Sequence, residues 1–317
     1  MPTRKSPRKG SLQFWPRKRA EKFLPSTNWD AINSDKPLKG FICYKAGMAS
    51  AAVKDLTPHS MSKDKKIIVP VTILECPPIK IFSARFYKDG KVATDILSEG
   101  ADKELKKVLK LPKKTRKMED VEKESYDDLR MIVYSVVKKT GLKKTPEITE
   151  IGLNGTIEEK FKFIKDNLGK EISILNFFEK GQLVDLRGLT KGKGLQGPVK
   201  RFGITLKAHK SEKGVRRPGS LGPWHPARVT FRVPMAGQLG MFTRTVYNNR
   251  IMDMGKGDKK FKNIKNYGNV NSDYVIVQGS VQGPAKRQLV LTQALRETKK
   301  QKKKEYEFIE LRWKQIY

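Results

Sequence analysis

The sequence predicts a mainly β protein of the α+β class: a small β-barrel with a helical insertion and long basic extensions. Three observations carry that expectation. Short β-branched runs recur, at Ile67 to Leu74, Ile79 to Tyr87 and Ser272 to Val281. Two stretches between strand candidates have the apolar spacing of amphipathic helices. Finally, 67 Lys and Arg face 33 Asp and Glu, and the excess sits in segments with no lasting apolar period.

In chain order, residues 1–37 read as a basic N-terminal arm. Arg4, Arg8, Arg17 and Lys18 alternate there with Phe14, Trp15, Phe23 and Trp29. Cations interleaved with aromatics suit phosphate contact plus stacking. Residues 38–95 read as the first part of the barrel, beginning with a strand at Gly40. Residues 96–170 read as the helical insertion. Glu119 to Lys139 carries Leu129, Ile132, Val133, Val136 and Val137, with acids in its first turns and Gly141 available to end it. Ile157 to Leu168 repeats the pattern with Phe161 and Ile164. Strands return at Ile172 to Phe178 and Gln182 to Leu189, so 171–190 continues the barrel. Residues 191–262 form a central basic extension with a Trp-tipped loop, and 263–293 complete the barrel. In that last part Gln282-Gly283-Pro284-Ala285 signals a hairpin between two strands. Residues 294–317 are a basic tail ending in Tyr306, Phe308, Leu311 and Trp313. Short strands of even length suit closure into a barrel.

The window from Arg187 to Arg250 is the most informative. It holds fourteen Lys or Arg, one acid (Glu212) and ten of the chain's 25 glycines. Such a segment has little apolar area to bury and repels itself, so it is expected to gain order on a polyanion. A disordered linker would have no use for Trp224 between two prolines, nor for Phe202, Phe231, Met235 and Phe242. The candidate RNA contacts here are Lys191, Lys193, Lys200, Arg201, Lys210, Arg216, Arg217, Trp224, His225, Arg228, Arg232 and Arg244. Gly192, Gly194 and Gly197 are candidates for close backbone approach.

Composition limits the alternatives. The 317 residues carry net charge +34 and only 37% hydrophobic residues. No run of about 18 apolar residues exists, so no membrane span is expected, and no secretory signal is visible at the N-terminus. Cys43 and Cys76 form no CxxC and read as reduced cysteines of a cytoplasmic protein. Gly192-Lys-Gly-Leu-Gln-Gly197 matches G-x-G-x-x-G, but Pro198 follows where a dinucleotide site needs a helix. Three scattered histidines offer neither a metal site nor a triad. An RNA-modifying enzyme would need a nucleophile or ligand cluster that is not visible. A chromatin-type DNA binder fits the aromatics less well than irregular RNA does.

Phe178, Asp185, Gly188, Thr190, Gly192-Lys193-Gly194, Gly197 and Arg201 fall at the spacing of a family signature. With Gly222-Pro-Trp-His-Pro-Ala227 and Ala236-Gly-Gln-Leu-Gly240, the chain resembles the large-subunit ribosomal protein L-three family, archaeal type, along its whole length. The resemblance implies a six-stranded translation-factor-like barrel on the ribosome surface. It implies a central extension that reaches through large-subunit rRNA toward the peptidyl transferase centre, with Trp224 at its tip. It further implies binding near the 3′ end of that rRNA early in assembly, and contacts with neighbours including L-fourteen and L-twenty-four-e. No enzymatic activity, cofactor, small-molecule substrate or membrane partner is implied; structural Mg ions would belong to the rRNA. Eukaryotic relatives carry a methylated histidine where Glu212 aligns, so that modification is not carried over.

Overall fold

A computed structural model describes residues 7–98, 102–112, 126–257 and 261–312. In chain order the elements are β1 (Gly40–Asp55), β2 (Lys66–Cys76), β3 (Ile79–Lys88), β4 (Lys91–Leu97), β5 (Asp128–Ser135), β6 (Ile148–Gly152), α1 (Ile157–Asn167), β7 (Glu171–Ile172) and β8 (Leu183–Leu189). After them come β9 (Leu195–Gln196), α2 (Pro198–Phe202), β10 (Gly237–Gln238), β11 (Thr243–Gly255), β12 (Asp273–Gln278), β13 (Gln288–Gln293), α3 (Lys299–Lys302) and β14 (Tyr306–Arg312). The protein is mainly β, as its β-branched runs lead one to expect. It divides into two compact units, Phe23–Gly188 with Arg244–Tyr317, and Met1–Lys22 with Leu189–Thr243.

The larger unit is organised by a ring of pairings. β1, β2, β12, β11, β8 and β13 are neighbours in that order, and β13 pairs back to β1, so each of the six has a partner on both edges. β1 can serve two neighbours on one edge because it is 16 residues long. Its start, Gly40 to Tyr44, pairs with β13, and its end, Ser50 to Asp55, pairs with β14. The register shifts between Lys45 and Gly47 against β2, and between Ile251 and Asp253 on β11 against β12. Such bulges bend a strand and increase its twist, which a closing sheet needs. A second sheet runs β4-β3-β5-β6, with β7 on β3. Helix α1 packs on β5 and β3, and a capping box starts it, Thr156 and Glu159 each accepting from the other's backbone N–H.

One buried cluster joins Phe41, Leu74, Val184, Ile251, Val275 and Leu289 of the ring to Ile79, Phe86, Leu129, Met131, Val133 and Ile151 of the second sheet. A second cluster covers Val71, Ile73 and Ile276 with Phe261, Ile264, Tyr267 and Val270. Buried Glu75 ties that covering segment down. It accepts from the Tyr267 hydroxyl, from the backbone N–H of Asn271 (2.8 Å) and of Ser272 (2.9 Å), and from the Ser272 hydroxyl (2.9 Å). Cys43 and Cys76 are free and buried. Burial first, and then the neighbouring Cys43 thiol, push the Cys76 thiol well above its usual range.

Four expectations are corrected. The helix expected over Glu119 to Lys139 is instead strand β5 over Asp128–Ser135 followed by a 3-10 turn over Val137–Thr140; residues 119–125 lie outside the described part. Leu129, Met131 and Val133 are all buried, which is period two. Positions 129, 133 and 137 satisfy both a helical and a strand period, and Met131 is the residue that separates them. The helix expected over Ile157 to Leu168 does form, as α1. The strand expected over Ile172 to Phe178 stops at Ile172, because the Ser173 hydroxyl accepts from the Leu175 N–H (3.2 Å) and starts a 3-10 turn over Ile174–Asn176. The turn at Gln282 to Ala285 is not a hairpin. β12 pairs with β2 and β11, β13 with β1 and β8. The turn crosses between strands that are not neighbours, and the Lys45 ammonium holds it through the carbonyls of Val281 and Gly283 (2.6 and 3.0 Å).

The fourth correction concerns the arm. Its second half belongs to the larger unit, with Leu24, Trp29 and Ile32 in the core. Trp29 is 4% exposed, so it cannot stack on RNA. A Cβ on Gly152 would lie 2.6 Å from the Trp29 Cβ, and one on Gly40 2.8 Å from its ring. Glycine at both places makes room for the indole. Val275→Asp places a charge at a wholly buried position of the ring. We expect a loss of at least about 4 kcal/mol of stability, read by denaturant unfolding, or no soluble folded protein.

Candidate nucleic-acid interface

The smaller unit carries nineteen Lys or Arg and two acids, Glu21 and Glu212. Cations at this density gain no mutual compensation and must find stabilisation elsewhere. At its base the chain runs out and back as two antiparallel limbs. Thr190 N–H donates to Phe242 O (3.0 Å) and Lys193 N–H to Leu239 O (2.9 Å). The Leu239 N–H returns a bond to Gly194 O (2.9 Å), after which β9 pairs with β10. The limbs approach so closely that a Cβ on Gly240 would sit 1.9 Å from the Lys191 carbonyl oxygen. Beyond α2, residues 203–236 contain no helix or strand. A bond from Lys207 N–H to Val215 O (3.0 Å) narrows one part of that loop.

The N-terminal arm packs on the limbs. The Ala20 N–H donates to Met241 O (2.9 Å). Trp15 stacks on Phe202 with ring centroids 6.2 Å apart, and meets Phe231 edge-on at 5.4 Å. The Arg17 guanidinium lies 4.2 Å from the centre of the Phe202 ring and 5.1 Å from that of Trp15. Arg8 donates to the carbonyl of Arg232. Gly10 has φ +82°, and a Cβ there would lie 2.5 Å from the Phe202 ring. The segments expected to gain order on a polyanion thus also make contacts with one another. Guanidinium–carbonyl bonds and ring contacts supply the cohesion that an apolar core would otherwise give. Sequence reasoning singled out Phe202 and Phe231 but not their meeting with Trp15, since a contact across about 190 residues leaves no local signal.

The predicted contact residues fall into three groups. Lys18, Lys191, Lys193, Lys200, Lys210, Arg216, Arg217, His225 and Arg228 are exposed in this unit. Residues 221–230 form an unbroken exposed run, and Trp224 is 87% exposed. Arg8, Arg17 and Arg201 instead donate to backbone carbonyls of the unit itself, and exposed Arg232 lends its carbonyl to Arg8. Burial holds the Arg201 guanidinium below its ordinary range. Arg244 lies in the larger unit, half-buried, with its pKa likewise lowered by burial. Arg4 lies outside the described residues. Of the three glycines expected to allow close approach, Gly194 and Gly197 have open space where a Cβ would be, whereas a Cβ on Gly192 would lie 3.1 Å from the Met241 side chain.

A helical turn does follow G-x-G-x-x-G, contrary to expectation: Gly197 is the N-cap and Pro198 the first residue of α2. It is only five residues long, and the adjacent β9 and β10 are an antiparallel pair of two residues each. That is no βαβ unit, so the dinucleotide reading fails on topology. Among the described residues no group of three or more His, Cys, Asp or Glu is placed to hold a metal.

The fold is mainly β, and its smaller unit is strongly cationic and glycine-rich, a composition that suits a polyanion partner. The chain belongs to the Ribosomal protein L3 family, whose family model matches residues 1–315. It is 42% identical over 307 residues to the large ribosomal subunit protein uL3 of Methanocaldococcus jannaschii, a match spanning 92% of this chain and 91% of the relative. The protein of the same name from Archaeoglobus fulgidus is 38% identical over 308 residues, spanning 92% and 93%.

Gly10→Ala forces a left-handed backbone on alanine and a methyl into the Phe202 ring. That strain costs about 1–2 kcal/mol from conformation alone. The arm should release: limited proteolysis of the free protein should cut within residues 7–20 several times faster, while the melting temperature stays unchanged.

Proposed function

We propose that this protein is a non-enzymatic structural constituent of the large ribosomal subunit. It binds large-subunit rRNA directly near the 3′ end, nucleates subunit assembly, and supports the peptidyl transferase centre through the loop carrying Trp224. The observation that carries this reading is the smaller unit, with nineteen cations against two acids and a wholly exposed loop at residues 221–230. Membership of the family and the name shared by its archaeal relatives support the ribosomal setting. The closed order of six paired strands supports a translation-factor-like barrel as the part seated on the ribosome surface. Neighbouring ribosomal proteins, L-fourteen and L-twenty-four-e among them, are the proposed protein partners. The site of action is the cytoplasmic ribosome, and no helix of the described residues is long and apolar enough to cross a membrane. No cofactor is needed for this role; any Mg ions would be held by the rRNA.

Binding to large-subunit rRNA should fall steeply with salt. If about ten cations meet phosphate, the slope of log affinity against log salt is roughly −7 to −9. Arg216→Ala with Arg217→Ala should flatten it by about two. A slope flatter than about −2 for the parent chain would show that the charges are solvated and would sink the proposal.

Trp224 offers its indole between Pro223 and Pro226, which restrict the backbone on both sides. Stacking on a base contributes roughly 1–3 kcal/mol. Trp224→Ala should leave the melting curve of the free protein unchanged and permit subunit assembly, yet slow peptidyl transfer on mutant subunits. Normal peptidyl transfer with a lowered melting temperature would assign the indole to the protein's own packing.

A further inference from the structure

We infer that Arg201 is a positioning residue that binds the protein's own backbone and sets the direction of the basic loop, rather than a phosphate ligand. The inference rests on the rRNA-binding reading above and deepens it, because it decides which of the candidate cations touch RNA.

The fork of Arg201 is occupied on all three nitrogens. Nε donates to Gln238 O (3.0 Å), Nη1 to Met235 O (3.0 Å) and Ala236 O (3.5 Å), and Nη2 to Arg17 O (3.4 Å). These acceptors lie on the arm and on the returning limb, whereas Arg201 itself is on the outgoing limb. One planar group thus ties together three pieces of chain. The site is shaped for it: a Cβ on Gly237 would lie 3.0 Å from the guanidinium carbon, and the Phe202 ring lies 5.1 Å away. Arg17 answers from the other side. It donates to Ser11 O (3.1 Å) and, at 3.5 Å, to Arg201 O.

A phosphate could claim Arg201 only by displacing these carbonyls, and the limbs and arm would then lose their common tie. A lysine cannot replace it. Its ammonium is a compact donor on a flexible stem and cannot meet four in-plane acceptors, although on a phosphate it would serve nearly as well as arginine. That difference separates the two roles.

The test uses the full-length chain and Arg201→Lys. Without RNA, hydrogen exchange at the amides of Ala20, Lys193 and Leu239 should lose at least about tenfold in protection, while amides of β12 keep theirs. With large-subunit rRNA from an archaeal relative, affinity should fall about tenfold while the salt slope stays that of the parent, since the number of phosphates met is unchanged. Arg216→Ala is the control and should lower the slope by about one. If Arg201→Lys gives no folded protein, Gly237→Ala crowds the same guanidinium and should give the same loss of protection. The inference is overturned if Arg201→Lys keeps both protection and affinity within about twofold while Arg201→Gln lowers the slope by about one. The exchange arm needs no RNA, so it decides the role of Arg201 even if the parent chain binds rRNA with a flat slope. That second result would count against the rRNA reading alone.

Discussion

The segregation of charge is the constraint on which the rest of this molecule depends. In the larger unit several acids are paired with cations. Arg85 holds Asp95 at 2.8 Å, and Arg130 holds Asp128 at 2.7 Å and Asp30 at 2.9 Å. The Lys160 ammonium completes the group on Asp128 at 2.6 Å. Those pairs cross β3, β4, β5 and α1, and reach back to the segment before β1. The smaller unit has only Glu21 and Glu212 to offer its nineteen cations. A fold that spent its acids evenly would have diluted the cationic unit; one that spent none in the larger unit would have left Arg85, Arg130 and Lys160 without these partners.

How the smaller unit coheres at all follows from the difference between its two kinds of cation. Two like charges about 10 Å apart in water repel by roughly 0.4 kcal/mol. A hydrogen bond from a charged donor contributes about 1.5–3 kcal/mol. A few guanidinium–carbonyl bonds therefore outweigh several such repulsions. Arginine suits this use on an open surface, because its fork is planar, weakly hydrated and stacks on rings. The residues that do so are Arg8, Arg17 and Arg201, while the lysines at 191, 193, 200 and 210 remain exposed. Arginines are thus divided between holding the unit and facing outward, and lysines are left to solvent or phosphate.

Much of this was legible in the sequence, and what was missed has physical causes. β2 and β3 were readable as β-branched runs, β1 as an apolar start at Gly40, and α1 from its helical spacing. β5 was misread because the apolar residues Leu129, Val133 and Val137 satisfy two periods. The turn at Gln282 was readable as a turn but not as a crossing, since local chemistry does not say which strands pair. The basic extension was legible from charge and glycine alone. The division of its arginines was not, because an inward guanidinium and an outward one look the same in a sequence. Gly237 and Gly10 were hints, since a Cβ at either would lie 3.0 Å from the guanidinium of Arg201 or Arg17.

The exposed loop then poses a question of occupant. Leu221, Trp224, Val229 and Phe231 are exposed large apolar side chains within eleven residues. A site for a protein helix or a bilayer would gather such residues into one apolar face. Here Gly222, Pro223, His225, Pro226 and Arg228 are interspersed among them in the chain. Single rings set among cations and rigid turns match an RNA surface, where base faces and phosphates alternate over a few ångströms. The arm repeats the combination at Phe14, Lys18 and Arg19. Held to the limbs by Trp15 and Arg17, it offers its rings and charges as part of the same surface. Segments already packed together lose less ordering entropy on meeting a partner than two free tails would.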